Sequence, residues 1–442
     1  MAAYNSKKGK VMDIKSQEAI LDMKSMRRTV IAATIGNVLE IYDFVIFAIF
    51  AVPISKAFFP AGDDFAALLL TFMTFAAGFL VRPFGAIVLG RYADKAGRKK
   101  ALSYTLLLMA FGTLIPAICP SYASIDLAAP LILIVGRLIQ GFSAGGEIGS
   151  NVAMLVENAP ANSRALFGSF QQMAQGGGVL LGGVVGLGIT LVFGEKGIVE
   201  EYWRIAFLVG LLIGPVGWYI RRAIPETPEF ERSSAQGHTY ESFFAGLKAN
   251  VYRILMGIAV MVFWTVAAQV SNYFTTYAVR ELHMSAIATY AGQIASGITL
   301  VIICPLIGLL ANRTGPYKPM AWGAGLAGVL AYPLFNLLAS NPTLPTLIAV
   351  QTVISILLGM YASCAPLVMS NIFPTQYRAT GIGTSYALGV MIFGGLTPMI
   401  VTTLIQFSGN KLIIGFYLTA AALISLTLTT FLARSKIRLL AS

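Results

Sequence analysis

Long apolar runs separated by short basic loops constrain this chain more tightly than anything else in it. The runs 65–89 and 101–118 each come close to the roughly 20 residues with which a helix crosses a bilayer core. The eleven residues joining them, GRYADKAGRKK at 90–100, form a charged hinge. Composition extends this reading to the whole chain: 57% of residues are hydrophobic and 11% charged, so a water-soluble core would lack the polar surface to cover it. The 44 glycines suit helices that approach one another closely in lipid.

The runs predict twelve crossings, near 29–57, 65–90, 100–119, 128–156, 165–193, 203–221, 251–279, 288–311, 319–339, 344–372, 380–407 and 412–433. The fold class expected is therefore an all-α membrane protein with twelve transmembrane helices in two six-helix bundles. Its predicted organisation is an N-terminal segment 1–28, a bundle 29–221, a linker 222–250, a second bundle 251–433 and a tail 434–442. The first 28 residues are polar and basic, unlike a Sec signal, so the N-terminus is expected in the cytoplasm. With that orientation 24 of the 31 Lys and Arg residues fall in cytoplasmic segments, which obeys the positive-inside rule. The net charge of +12 thus reflects topology, and nucleic acid is not expected as a partner. Both termini are predicted to be cytoplasmic in a multi-pass protein of a bacterial inner membrane, surrounded by lipid and acting as a monomer.

A degenerate copy of the first hinge recurs at the matching place in the second half. Gly308, Asn312, Arg313, Gly315 and Lys318 parallel Gly90, Asp94, Lys95, Gly97 and Lys99 or Lys100. Repeated six-helix halves are the sequence mark of a transporter whose halves rock about a central site. Enzyme motifs are missing. His238 and His283 are the only histidines, both in predicted loops, and no phosphate-cradling G-x-x-x-x-G-K-[ST] run exists. Energy must then come from an ion gradient, with a proton as coupling ion and no cofactor or metal. Cys119, Cys304 and Cys364 are widely spaced in or beside apolar runs and read as packing residues.

Ionisable residues within the crossings are where function is expected, because a charge at the bilayer centre costs roughly 2.5–3.5 kcal/mol on insertion scales unless it is paired or hydrated. There are five: Glu40, Asp43, Arg82, Arg137 and Glu147. Glu40 and Asp43 share a face of the first helix with Asn37 and Phe44. Two carboxylates so placed cannot both ionise cheaply, and a carboxyl poised to hold and release a proton is what gradient coupling requires. Glu40, Asp43 and Glu147 are the candidate proton-coupling residues, against the alternative of packing salt bridges.

On the fourth helix Arg137, Gln140, Glu147 and Asn151 form one polar stripe. Arg137 and Glu147 stand about 15 Å apart along the axis, too far for a direct bond. Depth from the cytoplasmic ends pairs Asp43 with Arg137 and Glu147 with Arg82. Asn37, Arg137, Gln140, Gln171, Gln175, Gln269, Asn272 and Tyr273 are the candidate substrate-binding residues, since amides, phenols and a guanidinium can hold carboxylate oxygens. Taken singly, each of the neutral ones also reads as an interhelical hydrogen bond. Gly178, Gly182 and Gly186 form a small-residue seam on the fifth helix, and Gly389, Gly394, Gly395 and Pro398 do the same on the eleventh.

Several of these runs carry a resemblance. The spacing of Gly90, Asp94, Lys95, Gly97, Arg98 and Lys99 resembles the loop signature of the major facilitator superfamily, and Arg137-x-x-Gln140-Gly141 resembles its fourth-helix signature. GNVLEIYDF (36–44), RPFG (82–85), GRLIQGFSAGGE (136–147), WRIAF (203–207), PETPEF (225–230) and FPTQYRATG (373–381) are similar to the metabolite:proton symporter branch. FGGLTP (393–398) and FFPAGDDFAALLLTF (58–72) resemble the citrate and tricarballylate carriers. The resemblance implies alternating access, with import of an anionic metabolite such as a tri- or dicarboxylate together with protons. It also implies a cytoplasmic gate at Gly90, Asp94, Gly97 and Arg98, to which Glu157 could pair; the plainer reading is that these charges only face water.

Two other substrates or directions stay open. A zwitterion such as proline or betaine would call for an aromatic cage, for which Trp264, Tyr273 and Tyr277 are candidates. A proton-coupled efflux antiporter would share the fold; the fifth-helix run has the glycines of the antiporter signature and lacks its proline, which favours symport. A sensor of the same fold lacks an obvious output domain.

Overall fold

Lipid offers no partner to a backbone N–H or C=O, so apolar runs of this length close their own hydrogen bonds as helices. The computed structural model describes residues 31, 34–60, 62–96, 98–147, 152, 155–156, 159–223, 250–373 and 378–434, and regular structure among them is helical throughout. The elements are α1 (Thr34–Ile49 with Ala51–Phe58), α2 (Asp64–Gly90, running on helically to Ala96), α3 (Arg98–Ile118), α4 (Ala128–Gly145), α5 (Arg164–Gly197) and α6 (Arg204–Gly210 with Ile213–Ala223). The second half holds α7 (Val251–Arg280), α8 (Ala286–Thr314), α9 (Tyr317–Ser340), α10 (Leu344–Ile372), α11 (Thr380–Ser408) and α12 (Ile413–Arg434). Among the described residues nine helices are long and apolar enough to span a membrane, or ten with the bent α1 as one span. α3 and α6 account for the remaining two predicted crossings. The segments 1–28, 224–249 and 435–442 lie outside the described residues.

Prolines explain where these helices break. α1 bends by 65° where Pro53 withholds the N–H that would bond Ile49. α6 divides at Leu211–Leu212, four residues before Pro215. In α11 the π-helical turn Val390–Gly395 precedes Pro398. The hinge expected at 90–100 is largely helix instead: Gly90 lies inside the helical run that ends at Ala96, not at a turn.

Within the first half α3 packs on α4 and α6, and α2 on α4; within the second α7 packs on α11 and α12, and α9 and α10 on each other. The halves meet chiefly through α5 against α8 and α2 against α11. Exchanging each helix for its counterpart six places along turns one of these contacts into the other, as an approximate twofold repeat requires. Glycine makes the approach possible. A Cβ at Gly141 of α4 would strike the Gly78 backbone of α2, and one at Gly297 of α8 would strike Leu180 of α5. The seam expected at Gly178, Gly182 and Gly186 divides between two neighbours: the first two face Ile41 and Val45 of α1, while Gly186 faces Tyr290 of α8.

The antiparallel pair α5/α8 is also tied at both ends by exchanged side chains. Glu195, late in α5, accepts a hydrogen bond from the Ala286 N–H at the start of α8 (2.8 Å). Asn312, late in α8, accepts one from the Ala165 N–H at the start of α5 (3.0 Å). Each satisfies a helix N-terminal N–H that has no partner within its own helix. The hinge copy in the second half, with Asn312 where the first copy has an acid, therefore acts through its amide.

Candidate functional site

The close α2/α4 contact and the polar face of α1 bring the five intramembrane charges into one region, all of them buried. Gln140 is its centre. Its Nε2 donates to Asp43 Oδ2 (2.5 Å) and to Thr113 Oγ1 (3.2 Å), and its Oε1 accepts from Arg137 Nη1 (2.6 Å). Arg137 Nη1 also lies 3.8 Å from Asp43 Oδ2, so the pairing that depth suggested is present. Three rings surround the guanidinium, those of Phe44, Phe47 and Phe75, with Arg137 Cζ 4.4–5.4 Å from their centroids. Rings offer a cation their negative faces without taking its hydrogen bonds. Arg137 Nε and Nη2 and Asp43 Oδ1 accordingly have no hydrogen-bond partner among the described residues.

One turn along α1 lies a second cluster. The carboxyls of Glu40 and Glu147 are within hydrogen-bonding reach of each other, although neither Glu40 oxygen makes an aligned hydrogen bond. Arg82 balances Glu40 electrostatically and reaches Tyr386 of α11 through a side-chain hydrogen bond. Its guanidinium is held over the rings of Phe44 (4.3 Å) and Phe79 (4.4 Å). The expected partnership of Glu147 with Arg82 is thus modified: Glu40 is the group that both meet. Depth along a helix gives height and not direction around the axis, and Glu40 projects from α1 on the side that Glu147 and Arg82 share.

Apart from Gln140, the amide residues do not converge on these clusters. Asn37 Nδ2 donates to the Gln171 carbonyl (3.4 Å), Asn272 Nδ2 to Gln269 Oε1 (3.4 Å), and Thr402 to the Tyr273 hydroxyl (2.9 Å). Gln175 accepts from Trp264 Nε1 across the halves (3.4 Å). Gln293 binds the Ser271 carbonyl and the Thr275 hydroxyl, as a helix tie would. Gln171 Oε1 and both amide atoms of Gln172 remain without partners among the described residues. Of the proposed gate, Gly97 and Glu157 lie outside the described residues, as do the side chains of Asp94 and Arg98. Trp264, Tyr273 and Tyr277 form no cage: their rings pack on Tyr386, on Phe72, and on Phe274 and Phe335 respectively. Sequence reasoning placed Phe44 on the acidic face and missed Thr113, Tyr386, Phe47, Phe75 and Phe79, for which the signal was aromatic and hydroxyl content within apolar runs.

Comparison with known proteins adds the following. The profile of the Major Facilitator Superfamily matches residues 33–387. A citrate-proton symporter of Klebsiella pneumoniae is 36% identical over 408 residues, 92% of this chain and 91% of the relative. A proline/betaine transporter of Salmonella typhimurium is 29% identical, covering 92% and 83%. Among solved structures, the E. coli xylose transporter in a partially occluded inward-open conformation superimposes with a TM-score of 0.72 at 17% identity, over 93% of this chain and 98% of that one.

Proposed function

Since the chain belongs to the major facilitator superfamily, we propose that it is a multi-pass membrane transporter, not an enzyme, and that it imports a tri- or dicarboxylate such as citrate by proton symport with alternating access. The observation that carries this reading is the Asp43–Gln140–Arg137 triad: a buried acid and a buried guanidinium that still has two N–H-bearing nitrogens to offer. A guanidinium matches a carboxylate in geometry and charge, while Asp43 beside it is placed to take the accompanying proton. When the solute carboxylate approaches Arg137, it competes with Asp43 for the cation, so binding of anion and of proton favour each other. Identity of 36% to a citrate-proton symporter supports the substrate class. The amide groups of Gln171 and Gln172 and the Gln175–Trp264 bridge are further substrate contacts in this reading. Lys and Arg distribution supports an inner-membrane orientation with both termini cytoplasmic.

A betaine or proline substrate is the second reading, favoured only by relatives at lower identity, and the dispersal of the three aromatic rings speaks against a quaternary ammonium site. The test is uptake by vesicles containing the purified protein, comparing citrate, tricarballylate, 2-oxoglutarate and betaine under an imposed pH gradient. Accumulation of a carboxylate when the outside is acid is expected. Accumulation of betaine alone would replace the substrate, and substrate-driven proton movement in the opposite direction would replace symport by antiport.

A further inference from the structure

We infer that Gln351 of α10 holds the end of the solute remote from Arg137, and that the group it takes there is an uncharged carboxyl still carrying its own proton. This deepens the carboxylate reading above and rests on it. The argument begins with the repeat: a constant shift in numbering carries Gly78 and Arg82 of α2 to Gly292 and Ser296 of α8, and Arg137 of α4 to Gln351 of α10. Contacts follow the numbering. A Cβ at Gly78 would meet Arg137, and one at Gly292 would meet the side-chain amide of Gln351. Gln351 therefore stands in the second half where the guanidinium stands in the first. Like Arg137 it is buried, with polar side-chain atoms that have no partner among the described residues.

The chemistry offered at the two places differs. A guanidinium only donates hydrogen bonds, which suits a carboxylate; an amide offers one accepting oxygen and one donating nitrogen side by side. In Gln351 both Oε1 and Nε2 are without a partner. A protonated carboxyl matches that pair, since its C=O accepts from Nε2 while its O–H donates to Oε1. A carboxylate would set an oxygen against Oε1 instead. The surroundings agree with the amide. Ser296 Oγ lies 2.7 Å from Ser355 Oγ and 3.2 Å from Ser271 Oγ, so hydroxyls fill the level that Arg82 holds in the first half. Among the described residues every buried acid and guanidinium belongs to the first half. An ionised carboxyl placed against Gln351 would find no counter-charge there, a cost that an uncharged one avoids. The solute then crosses with a proton on that carboxyl, taken from water before binding and returned to water after release.

Three solutes of equal chain length separate the possibilities at a fixed neutral pH. Glutarate is ionised at both ends, glutaramate carries an amide at one end with the donor and acceptor of a protonated carboxyl, and valerate carries a methyl group there. Affinities are read by calorimetry on the purified full chain, with citrate as the reference. Glutaramate should bind at least about tenfold more tightly than glutarate or valerate. In Gln351→Met, which keeps the length of the side chain and loses its amide, that preference should vanish while valerate binds as before. A purely structural role would weaken all three alike, as Arg137→Gln should. Should Gln351→Met prove misfolded, the wild-type ranking decides alone: glutarate bound as tightly as glutaramate, or neither bound beside bound citrate, overturns the inference. A preference for glutaramate that persists in Gln351→Met overturns it as well and leaves the carboxylate reading standing. A wild type that binds no carboxylate, citrate included, removes that reading itself.

Discussion

Asp43 and Arg137 are 94 positions apart in sequence, yet their pairing was legible because a helix rises about 1.5 Å per residue and both could be placed by depth. What depth cannot give is direction around the axis. For that reason the bridge that Gln140, read as a substrate contact, makes between the two charges was not visible in sequence, and Glu147 was assigned to Arg82 without Glu40. The bridge has testable weight. Asp43→Asn is expected to abolish gradient-driven accumulation while solute exchange across the membrane, measured by counterflow, persists; full accumulation by this variant would remove Asp43 from coupling. Arg137→Lys keeps the charge and loses the planar fork and its fit among Phe44, Phe47 and Phe75. Uptake should drop at least about tenfold, the equivalent of roughly 1.4 kcal/mol, and a variant with wild-type initial rates would show that only the charge matters. Gln140→Leu strips the bridge while keeping volume, leaving buried groups unsatisfied at about 1–3 kcal/mol each. Its thermal midpoint, read by intrinsic fluorescence, should fall below that of the wild type.

At the scale of helices, apolar length and charge marked where each crossing lies, and the prolines that bend α1 and split α6 were present to be read. Which faces meet was not legible, since a glycine in a membrane helix looks the same whether it touches a neighbour or lipid. The fifth helix shows this well. Gly176 and Gly183 face Leu300 and Ile294 of α8, Gly178 and Gly182 face α1, and Gly188 meets nothing within 4 Å. The difference predicts opposite outcomes for one chemical change. Gly141→Ala places a methyl group against the Gly78 carbonyl, forces α2 from α4, and should destabilise by about 1–3 kcal/mol, as overpacking does. Gly188→Ala should stay within about 1 kcal/mol of the wild type, on the side of stability given alanine's helix preference. Thermal midpoints of the two variants, measured together, decide it, and equal values would mean that the α2/α4 approach is looser than described. Because Arg82 and Arg137 both hang on that approach, Gly141→Ala should also reduce uptake in the fraction that remains folded.

For the molecule as a whole, the six-and-six division could be read from the polar interval and the repeated hinge, while the means by which the halves hold each other could not. Asn312 looked like a weakened copy of Asp94, yet its amide oxygen accepts from the Ala165 N–H at the start of α5, and Glu195 repeats the arrangement at the far end on α8. Alternating access requires each of these ties to break in turn, because the two ends of α5/α8 must open on different halves of the cycle. The cysteines among the described residues are buried and unpaired, so introduced pairs can be addressed selectively. A pair at positions 195 and 286, or at 165 and 312, joined by a short thiol-specific linker, should abolish net uptake, and cleavage of a reducible linker should restore it. Solute binding should respond unequally: sealing one end leaves the site reachable only from the other, so ligand protection of a reporter would persist from one side of the membrane in each linked form. Continued uptake with either end sealed would mean that solute passes without the halves separating there, and the rocking reading of the α5/α8 and α2/α11 contacts would have to be given up.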